Sequence, residues 1–125
     1  MVIDAFAIVA IADEAEAFER RITDDPVRLI SAASVLGAAI VIESKLGEAG
    51  GAELDLWLYK AGADIVPVDA AQADLARRAW RRFGKGRSPA GLNFGDCFSY
   101  ALAALRQEPL VYKGNDFSKT DIEAA

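Results

Sequence analysis

Short apolar segments of strand length alternate with longer segments of helical period from one end of this chain to the other. Parallel strands need crossover connections and are buried on both faces, so the alternation implies a parallel sheet covered by helices. Met1–Ile3, Arg28–Ser31, Asp64–Val68 and Pro109–Tyr112 read as strands. Ala5–Ala12 reads as a short buried helix. Glu14–Ile22 reads as a more polar one with Ala17, Phe18 and Arg21 at helical spacing, broken by Asp24, Asp25 and Pro26. Ala32–Leu46 is a long helix, apolar at Val35, Leu36, Ala39, Ile40 and Ile42 and closed by Gly47. Gly50–Gly51 precedes a helix over Ala52–Ala61, whose Leu54, Trp57, Leu58 and Ala61 form one stripe. Ala70–Phe83 and Phe94–Arg106 are further helices, separated by a loop carrying Gly84, Gly86, Pro89 and Gly91. Gly114–Asp121 is a turn-rich tail. The expected fold class is α/β, with a central, mostly parallel sheet of about four to five short strands flanked by helices.

A length of 125 residues suits one core and one domain over 1–125. No apolar run approaches the roughly 20 residues of a membrane helix. No basic region precedes an apolar one at the start, so neither a secretory signal nor a membrane partner is expected. The single cysteine, Cys97, has no internal disulfide partner, which fits a cytoplasmic location.

Histidine is absent, which removes a Ser-His-Asp triad, a Cys-His pair and a histidine zinc site. Without a histidine to activate it, Cys97 reads as a small buried hydrophobe. Carboxylates remain, and three of them stand at the boundaries of buried-looking elements. Asp4 follows the first strand, Asp96 opens the helix in NFGDCFSYALAALRQ, and Asp116 follows the last strand in LVYKGNDF. Ligands of parallel sheets bind beyond the carboxyl ends of the strands, where Asp4 and Asp116 lie. Asp96 lies near a helix N-terminus, whose field favours a carboxylate. Any one of these acids alone reads as a helix cap or turn residue. Together they describe an acidic pocket that a hard divalent cation, Mg²⁺ or Mn²⁺, would stabilise, and hence phosphate chemistry. Asn93, Asn115 and Asp121 are candidates to brace that pocket, or plain turn residues. Phe6 reads as core, with the alternative that its ring narrows the pocket beside Asp4.

A net charge of −5 argues weakly against a nucleic-acid partner, but charge placement matters more than the sum. Arg77, Arg78, Arg81, Arg82, Lys85 and Arg87 follow one another with no acid between them. Arg78, Arg82, Lys85 and Arg87 are the candidates for RNA-phosphate contact. The alternatives are a solvated helix face or a contact for an acidic partner segment. Leu54, Trp57 and Leu58 read as core, with a partner surface as the alternative.

MVIDAFAIVAI, the LISAAS opening of a helix, GLNFGDCFSYALA and LVYKGNDFSKTDI resemble, in order and spacing, the PIN-domain toxins of the VapC type. The resemblance covers nearly the whole chain. It implies a PIN-like fold and a metal-dependent endoribonuclease toxin of a bacterial toxin–antitoxin pair. It further implies an RNA substrate (transfer RNA among the candidates), a VapB-type antitoxin partner and a homodimer. Carried onto this sequence, it places the catalytic and metal-binding acids at Asp4, Asp96 and Asp116.

Two departures fall at the site the resemblance implies. A hydroxyl side chain usually follows the first Asp, where Ala5 and Phe6 stand here. A Glu usually lies six residues beyond the Ser that opens the second helix; counting from Ser31 lands on Gly37. Glu43 is no simple substitute, being about 240° around the helix and ~9 Å further along it. The expectation is a weakened ribonuclease. The alternatives are a catalytically impaired module that still binds antitoxin and RNA, and a phosphatase-like or DNA-cleaving metalloenzyme using the same acids.

Overall fold

A computed structural model describes the backbone of all 125 residues, and the side chains of residues 1–9 and 19–125. The elements are β1 (Val2–Ile3), α1 (Ala5–Asp24), β2 (Leu29–Ser31), α2 (Ala32–Ala61), β3 (Asp64–Val66), α3 (Ala70–Phe83), α4 (Phe94–Arg106) and β4 (Leu110–Val111). A 3-10 turn over Phe117–Lys119 follows. The four strands are parallel, in the order β3-β2-β1-β4.

Adjacent residues of each strand point to opposite faces, and the core divides accordingly. Val2, Leu29 and Leu110 join one apolar cluster with Ala79, Leu92, Tyr100 and Leu102 of the α3–α4 side. Ile3, Ile30 and Val111 join the other with Ala7, Ile8, Ala38, Leu54 and Leu58 of α1 and α2. Among the described residues no helix is long and apolar enough to cross a membrane.

The elements differ from the sequence reading in three ways. The two short helices expected between Ala5 and Ile22 are one helix, since no glycine or proline lies between them; the side chains of Ala17 and Phe18 fall outside those described. Gly47 does break α2, with φ 68° and ψ −165°, but the second segment resumes before the Gly50–Gly51 pair. Leu36 and Ile40 face outward, at 62% and 58% exposure, because the first half of α2 turns its Ser34–Ala38 stripe inward.

Leu54 and Leu58 are buried and Trp57 packs on the same cluster, so that stripe is core. Phe6 is not core: it is 47% exposed.

Candidate active site

β1 lies between β2 and β4, and the chain leaves it at the crevice where the direction of winding changes. Such crevices bind ligands in parallel sheets. Asp4 is the first residue beyond β1. Its N–H donates to the Val111 carbonyl at 3.0 Å, a last rung of the ladder with the β4 edge. Its side chain caps α1, accepting from the Phe6 N–H at 3.1 Å. The other oxygen, Oδ1, accepts from the Ser99 hydroxyl of α4 at 2.6 Å. Ser99 in turn lies 3.2 Å from the Ser34 hydroxyl of α2. Asp4 is 2% exposed, and burial raises its pKa against the lowering effect of Ser99 and of the Phe6 and Ala5 N–H groups.

Asp96 sits in the first turn of α4. The Asn93 side chain accepts from the Asp96 N–H at 2.8 Å, and Asp96 Oδ2 accepts from the Asn93 N–H at 3.0 Å. This reciprocal cap fixes both residues. Asp96 is buried, and that burial is the main cause pushing its carboxyl up to about 6. The Asn93 N–H opposes the rise; the charges of Asp4 and Asp116 add to it. Asp96 thus lies within electrostatic reach of both Asp4 and Asp116.

Asp4 and Asp96 line one cleft of about 240 Å³. Phe6, Gly37, Val41 and Phe94 form further parts of its wall. No lysine or arginine lines it among the described residues. Gly37 stands on this cleft, and a Cβ built there meets nothing within 4 Å. Glu43, by contrast, borders a separate hollow with Glu48 and Asp55, consistent with its angle around the helix.

Asp116 is exposed at the start of the 3-10 turn and makes no capping bond. Among the described residues no three acidic side chains stand close enough to hold an ion by themselves. Two of the acids are already committed locally, Asp4 to Ser99 and Asp96 to Asn93. The donor set still fits Mg²⁺, which keeps several waters and takes only one or two carboxylates from a protein. Two buried carboxylates on a cleft lined by no basic side chain among the described residues are the setting in which a divalent ion relieves repulsion and desolvation together.

The remaining candidates separate. Asn93 lines the cleft and caps α4. Asn115 is exposed and accepts from Ser118 through its carbonyl. Asp121 accepts from the Tyr100 hydroxyl at 2.6 Å and pairs with Arg82 at 3.2 Å, bracing α3 and α4 against the tail. Arg78 pairs with Asp74 at 2.8 Å, and Arg87 stacks over the Trp80 ring at 4.6 Å. Arg78, Arg82, Lys85 and Arg87 all lie outside the acid cleft, though Lys85 borders the groove beside it. The Cys97 thiol is buried and pushed up by that burial and by the charge of Asp96, which suits an inert side chain.

Ser99 and Ser34 were not singled out in the sequence. The available signal was spacing: Ser99 follows Asp96 by three residues, placing the two on one helix face. Nothing in the letters joins Ser99 to Asp4.

The PIN domain family matches residues 1–123. A protein named Ribonuclease VapC from Mycolicibacterium smegmatis is 60% identical over 127 positions, covering 99% of this chain and 98% of that protein. Ribonuclease VapC30 from Mycobacterium tuberculosis is 57% identical over 125 positions, covering 98% and 95%. Among solved structures, Mycobacterium tuberculosis VapC20, a toxin described as cleaving the sarcin–ricin loop, is similar with a TM-score of 0.76. At 17% identity, and with 99% and 97% coverage, that likeness bears on the fold.

Proposed function

From the premise that the chain belongs to the PIN-domain family, as a VapC-type ribonuclease toxin, we propose that it hydrolyses RNA phosphodiester bonds with Mg²⁺ or Mn²⁺ held at Asp4 and Asp96. Asp116, whose charge reaches Asp96, is the third acid of the proposal. The observation that carries this reading is the burial of Asp4 and Asp96 on one cleft lined by no basic side chain among the described residues. Residues 1–125 act as a single PIN domain, and a VapB-type antitoxin restrains it, as the VapC naming of its relatives implies.

When bound, the ion neutralises phosphate charge and acidifies water near neutral pH. The chain's own part is positioning. Ser99 and the Phe6 N–H hold Asp4 by both oxygens, so its carboxylate does not rotate. The Asn93 N–H holds Asp96 Oδ2, leaving Oδ1 to orient a ligand or accept a proton from attacking water. A water–phosphorus bond forms as the ester bond to the leaving oxygen breaks. Asp96 serves in this role only when ionised; burial opposes that charge, and a bound cation would favour it.

Gly37 and Ala5 leave two wall positions without a polar side chain. Weak metal binding and slow turnover follow, because two carboxylates hold an ion less tightly than three. The same observation favours a second reading, a PIN-fold module that grips antitoxin and RNA but does not cut. One assay separates them. Wild type should cleave RNA slowly with Mn²⁺ and stop with EDTA. Asp96→Asn should lose at least about 100-fold, and Gly37→Glu should gain about tenfold. No cleavage by wild type but cleavage by Gly37→Glu would select the binding module. Cleavage that survives EDTA or Asp96→Asn would remove the mechanism.

A further inference from the structure

A second groove, of about 610 Å³, runs between α3 and α4 beside the acid cleft. Three aromatic side chains wall it: Trp80 from α3, and Phe94 and Phe98 from α4. The Phe94 and Phe98 rings meet edge to face, centroids 4.9 Å apart at 87°. Phe94 is 82% exposed, an unusual position for a phenylalanine with no partner beyond it. Arg77 and Lys85 line the same groove, and no acid does among the described residues. Arg77 pairs with Asp74 at 3.5 Å, but both are exposed, so that pair holds the guanidinium loosely. Asn93 and Phe94 line both the groove and the acid cleft, so the two adjoin.

We propose that this groove receives a base of single-stranded RNA next to the scissile phosphate. The base stacks on Phe94, and Arg77 and Lys85 neutralise adjoining backbone phosphates. Flat aromatic surface beside positive charge is the combination that holds single strands with little sequence preference. A protein segment would also cover the rings. Arg77 and Lys85 on an otherwise mostly apolar lining, no acid among the described lining residues, and the neighbouring acid cleft favour RNA. Arg87 already covers a face of Trp80, so Phe94 is the stacking surface and Trp80 the wall.

This inference rests on the ribonuclease reading of the acid cleft, and the test keeps the two apart by measuring binding without metal. A fluorescently labelled single-stranded oligoribonucleotide is titrated with the full chain in EDTA, and anisotropy is read. Phe94→Ala should weaken binding about tenfold, and Phe94→Trp should restore it, with indole emission quenched by RNA. An abasic substitution at one RNA position should weaken wild type by a similar factor and leave Phe94→Ala unchanged, the coupling expected of two groups in contact. The proposal is overturned if wild type binds no RNA, or if Phe94→Ala binds intact and abasic RNA as wild type does. It is equally overturned if Phe94→Ala keeps RNA binding and loses only a co-expressed antitoxin. Phe94-dependent RNA binding without Mn²⁺-dependent cleavage in any variant would leave the groove standing and remove the hydrolytic reading.

Discussion

Asp96 is a first-turn residue, half of a capping box and a wall of the acid cleft at once. These roles conflict at neutral pH, because burial opposes the charge the cleft needs. A carboxyl raised to about 6 keeps its proton in the folded chain while the unfolded chain has lost it near 4. The folded state then binds more protons than the unfolded one, so stability falls as pH rises from about 4 to about 6. Asp4 is raised in the same direction. Metal-free thermal melts should therefore show wild type losing roughly 5 °C more than Asp96→Asn between pH 4.5 and 7. Mn²⁺ should recover that loss at pH 7, because an ion replaces the proton. Parallel melting curves for the two proteins would show that Asp96 is not held in this way. Asp4 and Asp96 were legible as candidates because each marks the end of an element. Phe6 was misread because an aromatic in an apolar helix looks like core; at a helix N-terminus beside a strand end it faces the cleft instead.

Two glycines on helices carry opposite expectations. Gly37 lies in the interior of α2 with open space where a Cβ would go. Replacing it with alanine removes chain entropy from the unfolded state and should stabilise by about 0.5–1 kcal/mol. Gly84 ends α3, and a Cβ there would lie 2.4 Å from the Trp80 carbonyl oxygen and 2.5 Å from its ring. Gly84→Ala should destabilise by about 1–3 kcal/mol and shift tryptophan emission as the Trp80 ring moves. Urea unfolding followed by fluorescence checks both, and a Gly84→Ala protein as stable as wild type would contradict the packing described. At this scale α3 and α4 were legible to the residue, because Asp69 and Asn93 cap them and Gly84 ends one. The strands came out shorter than read, at two or three residues each. Their letters continue past the ladder into flanking residues such as Pro67, Val68 and Tyr112, which are exposed or half-buried and pair with no strand.

The molecule as a whole brings together residues from its first few positions and its last quarter. Parallel pairing of β1 with both β2 and β4 does this, carrying Asp4 to the same edge as the chain that leaves β4 toward Asp116. The alternation of elements made the sheet legible, and with it the edge. The order of the strands was not readable from periodicity, since no strand names its neighbour. Nor was the hydroxyl pair, Ser99 and Ser34, that ties α4 and α2 to Asp4. The basic run was legible as a run. Its division between ion pairs with Asp74 and Asp121 and the groove beside the cleft depends on the face of α3 that each arginine occupies and on the loop after Phe83 that carries Lys85.

The central claim is that Asp4 and Asp96 share a cation, weakly, because position 37 lacks a carboxylate. Calorimetric titration of Mn²⁺ at pH 7.5 into wild type, Asp96→Asn and Gly37→Glu tests it without any substrate. Weak binding by wild type, none by Asp96→Asn, and an affinity about tenfold higher or more in Gly37→Glu are expected. Indistinguishable heats and affinities across the three proteins would contradict it.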